Sequence, residues 1–397
     1  MIILESGNKY LSADIGSEYI KLIVFENDKV TKEIKPVKHL IRKVEESDLN
    51  NHHPERCISK TFKEAFEALE IGIPENTFVN INNDKLISQT FHSREEFDRP
   101  VVINAPILKN INENILSKLS QSEEVIYLRT NKYIIDNKLE VTDPLLMEAK
   151  SIEAEDFLVK IDKRYLDNIE NILSSCGLSA TSIIPGAVAQ GEILLTSQEK
   201  SLGSCLIDIG YSTTDVVCYT SGNITLCFTL NMGIGDFIEA LSALLHLRYK
   251  DAYYIYKENA NLLQVDSQAP VSFIDIYGAK SVVTVGFLNK ILEDLIKQLF
   301  VTLRTIFENN NIKVHAITLS GGLSHLQGIK NLANRVWGLH RVKIGKLNET
   351  KSPDLMSNKW ATCFGMMHIA SDDIESPKFD IYGILFNIKS FIENLLK

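Results

Sequence analysis

Acidic residues and hydroxyls surround a glycine turn in the stretch 208–215. A short apolar strand at 204–207 carries Asp208 to its end, and Gly210 lets the backbone turn and approach a ligand closely. Asp215 begins the next strand. Between the two acids lie hydroxyls and backbone N–H groups that suit phosphate oxygens: Ser212, Thr213 and Thr214. This pattern predicts a site for a nucleotide phosphate and its metal ion, although an ordinary β-turn has a similar composition.

The same design occurs a second time near the N-terminus. There Asp14-Ile15-Gly16-Ser17 lies between two predicted strands, and two related halves that share a cleft are expected. A third turn, Ser320-Gly321-Gly322, follows a strand at 314–319 and precedes a helix that begins near Leu326. Its glycines permit close approach of a flat ligand such as adenine. No Gly-x-x-x-x-Gly-Lys-Ser/Thr loop is present, so P-loop chemistry is excluded, and no Gly-x-Gly-x-x-Gly follows a strand, which argues against a Rossmann dinucleotide site.

These three turns, in this order, resemble the actin–Hsp70–sugar kinase superfamily. Asp14-Ile15-Gly16 is similar to its first phosphate loop, 208–215 to its second, and Ser320-Gly321-Gly322 to its adenosine turn. Further segments resemble the bacterial cell-division family FtsA: 175–178, 183–187, 202–210, 319–328 and 361–368. The resemblance spans essentially the whole chain and is strongest from about residue 168 onward.

The resemblance implies an α/β, actin-like (ribonuclease H-like) fold with two lobes, an inserted 1C-type subdomain and a C-terminal amphipathic helix. The implied parts are 1–77 and 159–203 (1A), 78–158 (1C), 204–235 and 311–370 (2A), 236–310 (2B), 371–378 (linker) and 379–397 (membrane-targeting helix). Within the insertion, the pattern predicts a helix at 111–119 and separate strands at 125–131, 133–136 and 157–161.

The resemblance also implies ATP and Mg²⁺ in the cleft between the lobes. Asp14, Asp208 and Asp215 would hold Mg²⁺ through water. The implied nucleotide-binding residues are Asp14, Gly16, Ser17, Asp208, Gly210, Ser212, Thr213, Thr214, Asp215, Gly233, Ser320, Gly321 and Gly322. No residue identifies itself as catalytic, so the chain is expected to be an ATP-binding adaptor rather than an enzyme.

Four residues depart from the family pattern. Tyr211 and Ser212 stand where the second phosphate loop has glycines, and the ribose-contacting acid and lysine would fall near Tyr253 and Tyr256. We therefore expect at best moderate ATP binding and slow or absent hydrolysis. A cleft that serves only the architecture is the alternative.

A long helix predicted at about 285–309 carries three cations seven residues apart: Lys290, Lys297 and Arg304. Seven residues fall only about 20° short of two turns, so the cations share a stripe about 20 Å long. A solvated helix face accounts for this stripe, with Glu293 and Asp294 neutralising part of it. The resemblance implies instead a docking strip for the acidic C-terminal tail of the tubulin-like protein FtsZ.

The C-terminal stretch has the pattern of a membrane-surface helix. Residues 371–378 are polar and acidic and predict a linker after a helix that ends near Ala370. In 379–397, large apolar residues share one broad helical face: Ile381, Ile384, Leu385, Ile388, Phe391, Ile392, Leu395 and Leu396. A terminal helix packed on the core would show the same face. The linker and the large apolar groups favour a membrane interface, and the resemblance implies a membrane-targeting helix here.

Composition restricts the remaining possibilities. The chain has 397 residues, of which 45% are hydrophobic, and a net charge of −9, which argues against a nucleic-acid partner. The six cysteines lack Cys-x-x-Cys spacing and fit a reducing cytosol. No secretory signal is predicted, and no run of about 20 apolar residues predicts a membrane span.

The resemblance thus implies an actin-like cell-division protein on the cytoplasmic face of the inner membrane, at the septum. It would tether FtsZ filaments of the Z ring, self-associate into filaments and meet later division proteins. Two alternatives stay open. One is an ATP-dependent kinase or ATPase of the sugar kinase–Hsp70 group. The other is the actin-like protein of type IV pilus machines, which shares the insertion but meets the membrane through a partner peptide.

Overall fold

Two five-stranded sheets of the same design form the centres of the two halves of the chain. A computed structural model describes residues 8–27, 33–44, 54–116, 120, 122–338, 341–347 and 353–375. In each sheet a central buried strand pairs antiparallel with the next strand of the chain and parallel with a later one. This repeated pairing is the structural counterpart of the repeated Asp-Ile-Gly turn.

The first half builds its sheet in the order β3-β2-β1-β4-β9. Its elements, apart from an insertion between β4 and β9, are β1 (Lys9–Ile15), β2 (Tyr19–Asn27), β3 (Ile34–Lys43), α1 (Pro54–Ala68) and β4 (Asn76–Ile81). The strand β3 was not predicted from sequence. Its residues are mostly exposed or half-buried, because it is the outermost strand, so it lacks an apolar run.

The insertion forms a separate antiparallel sheet in the order β5-β8-β6-β7. Its elements are β5 (Ile87–Val102), α2 (Ala105–Leu116), β6 (Glu123–Ile135), β7 (Leu139–Val141) and β8 (Glu148–Asp162). The prediction of separate strands at 125–131 and 133–136 is wrong, because a bulge between Thr130 and Lys132 lets β6 continue through both. Its identity as a 1C-type subdomain stays a prediction.

The inserted sheet also contacts the second half. There the backbone N–H of Cys227 donates a hydrogen bond to Ser88 Oγ of β5, with an N–O distance of 3.0 Å. Cys227 lies in the outermost strand of the second sheet. The insertion therefore packs against the edge of a sheet that belongs to the other half of the chain.

The first half ends with α3 (Asp167–Ser174), β9 (Ser182–Pro185), α4 (Gly186–Leu194) and α5 (Ser197–Leu202). The second half follows with β10 (Ser204–Ile209), β11 (Thr214–Thr220), β12 (Asn223–Leu230), α6 (Ile234–Leu245), α7 (Tyr249–Asn259), β13 (Pro270–Ile274), β14 (Lys280–Thr284), α8 (Val285–Asn309), β15 (Ala316–Ser320), α9 (Ile329–Trp337), β16 (Val342–Ile344) and α10 (Ala361–Glu375). Its sheet order is β12-β11-β10-β15-β16.

Two helix predictions had different outcomes. The long helix α8 has the predicted bounds, Val285–Asn309, so that prediction is confirmed. The last helix, in contrast, does not end near Ala370 but continues to Glu375, so residues 371–375 of the predicted linker are helical. No glycine or proline lies between Ala370 and Pro377, and a proline disfavours helical geometry at the residue before it. The rest of the linker and the stretch 379–397 lie outside the described residues.

The helices α4 and α10 cross at unusually close range between the two halves. All but two residues of α4 are buried, and most are small. An added Cβ on Gly365 of α10 would lie 1.8 Å from the carbonyl oxygen of Ala189 in α4. Glycine at 365 is therefore required for the observed spacing of the two helices. None of the helices described above is long and apolar enough to cross a membrane.

Candidate functional site

The second and third predicted turns meet at the ends of neighbouring strands. Asp208 of β10 lies beside Ser320 of β15 in parallel register and opposite Asp215 of β11. Gly321 has a φ of +77°, and an added Cβ there would lie 2.2 Å from Asp208 Oδ1. Only glycine satisfies both conditions. The structure thus brings Asp208, Asp215 and Ser320 together.

The start of α6 packs on the backbone of the second turn. The N–H of Ile234 donates to the carbonyl oxygen of Gly210 (3.0 Å), and the N–H of Gly235 donates to that of Tyr211 (2.7 Å). An added Cβ on Gly233 would lie 2.5 Å from the Tyr211 carbonyl oxygen. Gly233 therefore belongs to the support of the second turn.

The first turn carries a cation that was not predicted. Lys21 Nζ lies 2.7 Å from Asp14 Oδ2, and the two residues face each other in the β1–β2 hairpin. Burial acts to lower the pKa of Lys21, but Asp14, Cys363 and Asp208 outweigh it, so the pKa is raised and the ammonium stays charged. Sequence could have revealed this pair only through the register of the hairpin, and the register depends on the length of the turn.

The two acids of the second turn are buried, which favours their neutral forms. Burial raises the pKa of Asp208 to about 6, with Lys21 opposing this shift. Burial, and then the neighbouring Asp208, raise the pKa of Asp215 to about 8. Hydroxyls of Thr229 (2.5 Å) and Thr213 (2.9 Å) donate to the Asp215 carboxylate.

A buried amide from the first half reaches the same place. Gln190 of α4 donates from Nε2 to Asp208 Oδ2, and the same nitrogen lies 3.1 Å from Thr362 Oγ1 of α10. The Gln190 Oε1 and Ser320 Oγ atoms are buried and have no hydrogen-bond partner among the described residues. Sequence patterns gave no signal for Gln190, because it lies inside a buried apolar helix.

The predicted hydroxyls are not all available to a ligand. The Thr214 hydroxyl donates to the Met232 carbonyl oxygen at 2.7 Å, and that of Thr213 donates to Asp215. Ser212 is exposed and Ser17 is half-buried. The Thr214 hydroxyl is therefore already occupied within the fold. A contact to a phosphate must come from another group of the turn.

The Tyr211 ring lies in the core of the second half. It is 9% exposed, and its hydroxyl forms a hydrogen bond with that of Tyr249 in α7. The ring therefore packs with α6 and α7.

A carboxylate and a lysine do lie near the tyrosines of α7, although neither is at position 253 or 256. Tyr253 and Tyr256 are both buried. Beside Tyr253, Lys257 Nζ lies 3.4 Å from Glu18 Oε1, which comes from the first turn. Sequence spacing missed this pair because its two members are more than 200 residues apart.

The cationic stripe on α8 lies partly in a groove of about 510 Å³ between α8 and α9. Lys297 and Arg304 line this groove and Lys290 does not, although all three are exposed. Glu293 pairs with Arg335 of α9, and not with the stripe as expected, because α9 packs alongside and brings Arg335 within reach. The groove is therefore lined by three cations and two acids, and one of these acids, Glu308, pairs with Arg304 at 2.9 Å. The eight apolar residues of 379–397 lie outside the described residues.

The oxygen-rich first and second turns suit a hydrated Mg²⁺, which prefers oxygen ligands and keeps several waters. Among the described residues, no three His, Cys, Asp or Glu side chains approach closely enough to hold an ion directly. The carboxylates already have partners in Lys21, Gln190 and the threonine hydroxyls. This arrangement fits an ion held through water rather than by direct ligation.

Comparison with protein families identifies relatives by sequence. The family model for cell division protein FtsA matches residues 205–365. Cell division protein FtsA of Neisseria meningitidis serogroup B is 24% identical over 313 residues, which cover 74% of this chain and 75% of that protein. FtsA of Pseudomonas aeruginosa is 31% identical over 149 residues, which cover 38% of this chain and 36% of that protein.

Solved structures agree on the fold. A chain of the PilM–PilN type IV pilus biogenesis complex has a TM-score of 0.63 at 15% identity, with 91% of this chain and 98% of that chain covered. MreB 5 of Spiroplasma citri bound to AMPPNP has a TM-score of 0.53 at 11% identity, with 93% and 97% covered. At these identities the likeness shows an actin-like fold alone. By sequence the chain is similar to cell division protein FtsA, and by fold it has an actin-like α/β architecture.

Proposed function

We propose that the chain is an actin-like adaptor of cell division, which binds ATP between its lobes and links FtsZ filaments to the cytoplasmic face of the cell membrane at the septum. The observation that carries this proposal is the similarity to FtsA over about three-quarters of both chains. Self-association into filaments and contacts to later division proteins belong to the same proposal. The proposal also includes slow or absent hydrolysis of ATP.

The nucleotide part of the proposal is supported by the arrangement of the turns. Asp14, Asp208 and Asp215 would hold Mg²⁺ through water, and Mg²⁺ would neutralise phosphate charge. Lys21 supplies a fixed cation beside Asp14, and Gly321 allows the backbone to approach the ligand. No residue identifies itself as the one that would position a water, so binding with slow or absent turnover is proposed.

Lys21→Met is expected to weaken ATP binding by about tenfold, because it removes the ammonium that pairs with Asp14. Adenosine, which has no phosphates, should bind both proteins equally. Calorimetric titration of ATP and adenosine, with and without Mg²⁺, gives the measurement. An equal loss for both ligands would mean that the variant is merely misfolded, and no loss for ATP would contradict the assignment of Lys21 to phosphate.

The groove between α8 and α9 supports the partner in the proposal. Its lining has three cations against two acids, Glu293 and Glu308, so it keeps an excess of positive charge. The other lining residues include the cations Lys297, Arg304 and Arg335 and the apolar Val301, Leu332 and Val336. An acidic peptide with apolar side chains matches both features, and an FtsZ tail is proposed as that peptide. Arg304 already contacts the groove wall, since Nη1 donates to the Val336 carbonyl oxygen at 3.2 Å.

Reversing the charges at Lys297 and Arg304 to Glu is expected to weaken FtsZ-tail binding by about tenfold or more at low salt, because attraction becomes repulsion. The difference should shrink as salt rises. Lys330→Glu is the matched control, since Lys330 is an exposed lysine of α9 that does not line the groove. Fluorescence anisotropy with a labelled tail peptide measures the affinities. Unchanged affinity in the double variant would reduce the stripe to a solvated face.

The pilus protein remains the second candidate. Its specific support is the TM-score of 0.63 to the PilM–PilN complex, which shows the fold alone. Sequence similarity to FtsA favours the division role. The apolar face of 379–397 separates the two proposals, because the pilus role assigns membrane contact to a partner.

A further inference from the structure

A chain of hydrogen bonds joins the two halves beside the first turn. Lys43 Nζ of β3 donates to Tyr253 Oη at 2.9 Å, and Tyr253 Oη donates to Glu18 Oε1 at 2.9 Å. Lys257, one turn further along α7, lies 3.4 Å from the same carboxylate oxygen. We call these four side chains the clasp: Glu18, Lys43, Tyr253 and Lys257.

The clasp is tightly packed around Tyr253. Tyr253 is 4% exposed, and Lys43 and Lys257 lie over its ring, at 4.8 and 5.2 Å from the centroid. Burial raises the pKa of Tyr253 to about 12, so the hydroxyl keeps its proton and can donate to Glu18 at neutral pH. A tyrosine hydroxyl between an ammonium and a carboxylate makes two charge-assisted hydrogen bonds.

The clasp also has a defined position relative to the candidate site. Glu18 follows Gly16 and Ser17 of the first turn, and its backbone carbonyl oxygen accepts from the Val44 N–H at 2.9 Å, which anchors the turn to the end of β3. Tyr253 and Lys257 lie on α7, whose Tyr249 contacts Tyr211 of the second turn. The helix α7 is therefore bonded to both turns at once.

We propose that the clasp ties the first half to α7 beside the first turn and limits access to the space between the first and second turns. A ligand that enters there must first open the clasp. This inference adds a regulation to the proposed nucleotide site. It rests on the proposed function only for the identity of the ligand.

Tyr253→Phe tests the clasp, because it keeps the ring and its contacts to the two lysines but removes the bridging hydroxyl. In nucleotide-free protein, hydrogen–deuterium exchange of peptides covering 14–21 and 249–259 should accelerate by about tenfold. Tyr277→Phe is the matched control, since Tyr277 is a 77% exposed tyrosine at the tip of the β13–β14 hairpin. It should leave both peptides unchanged.

A double-mutant cycle with Glu18→Gln makes the test independent of simple destabilisation. If the clasp exists, adding Glu18→Gln to Tyr253→Phe accelerates hydrogen–deuterium exchange little further. The effects of two independent substitutions would instead add. Additive effects, or unchanged exchange in Tyr253→Phe, would overturn the clasp. The association rate of ATP should also rise in Tyr253→Phe. A wild-type chain that binds no ATP would contradict the proposed function while leaving the exchange test of the clasp intact.

Discussion

Gly365→Ala is expected to lower the free energy of unfolding by about 3 kcal/mol, the upper part of the range for overpacked cores. The new methyl carbon would lie 1.8 Å from the carbonyl oxygen of Ala189 and 2.4 Å from its carbonyl carbon. Both atoms belong to the backbone of α4, so no side-chain rotation can relieve the clash. The helices must separate, and the buried contacts of α4 on both sides are lost with them.

Urea unfolding followed by circular dichroism measures this difference. Gly72→Ala is the matched control, since an added Cβ at Gly72 meets no atom within 4 Å and its φ is not in the left-handed region. That control should be neutral or slightly stabilising, because alanine restricts the unfolded chain. A Gly365→Ala protein as stable as the control would show that α4 and α10 can move apart without loss, contrary to the packing described.

Removing residues 379–397 is expected to abolish co-sedimentation of the chain with lipid vesicles. The eight apolar side chains of this stretch represent on the order of 10 kcal/mol of gross transfer free energy if they are well buried. Ordering the segment costs a comparable amount, so a single tail binds weakly. Assembled chains present many tails and bind firmly. Full-length protein should therefore sediment more completely as its concentration, and with it assembly, increases.

Single substitutions sharpen this test without shortening the chain. Ile388→Glu places a charge on the apolar face and should reduce sedimentation, whereas Asn387→Glu places the same charge on the polar face and should not. Replacing neutral by anionic lipid should matter little, because Glu393 lies between the only two basic residues of the segment, Lys389 and Lys397. If the chain with residues 379–397 stays in solution with vesicles just as the shortened chain does, the membrane is removed from the proposal. If both sediment equally, membrane contact comes from elsewhere in the chain and not from this segment.

The sequence predicted those features of the fold that repeat or are strongly periodic. The two Asp-Ile-Gly turns indicated two sheets of one design, and the apolar periodicity of α8 gave both of its ends. Elements with weak periodicity were missed or divided. The strand β3 is an exposed edge strand, and β6 contains a bulge that interrupts its alternation.

The candidate site was predictable where chemistry and spacing are local, and not where partners come from distant elements. Asp208, Asp215 and Ser320 were found because each ends or begins a strand. Three other residues were not found. The role of Lys21 depends on a hairpin register, that of Gln190 on a buried helix, and that of Glu18 on a contact between the two halves. The Glu293–Arg335 pair is a similar case, because only the packing of α9 against α8 reveals it.

The contact between the inserted sheet and β12 has a consequence for solubility. The strand β12 is the outermost strand of its sheet, and outermost strands present unpaired N–H and C=O groups that recruit other chains. The Cys227 N–H, which would otherwise be such a group, is satisfied by Ser88 of the insertion. The inserted sheet therefore shields an aggregation-prone edge, and a chain from which it is excised would expose that edge to its own copies.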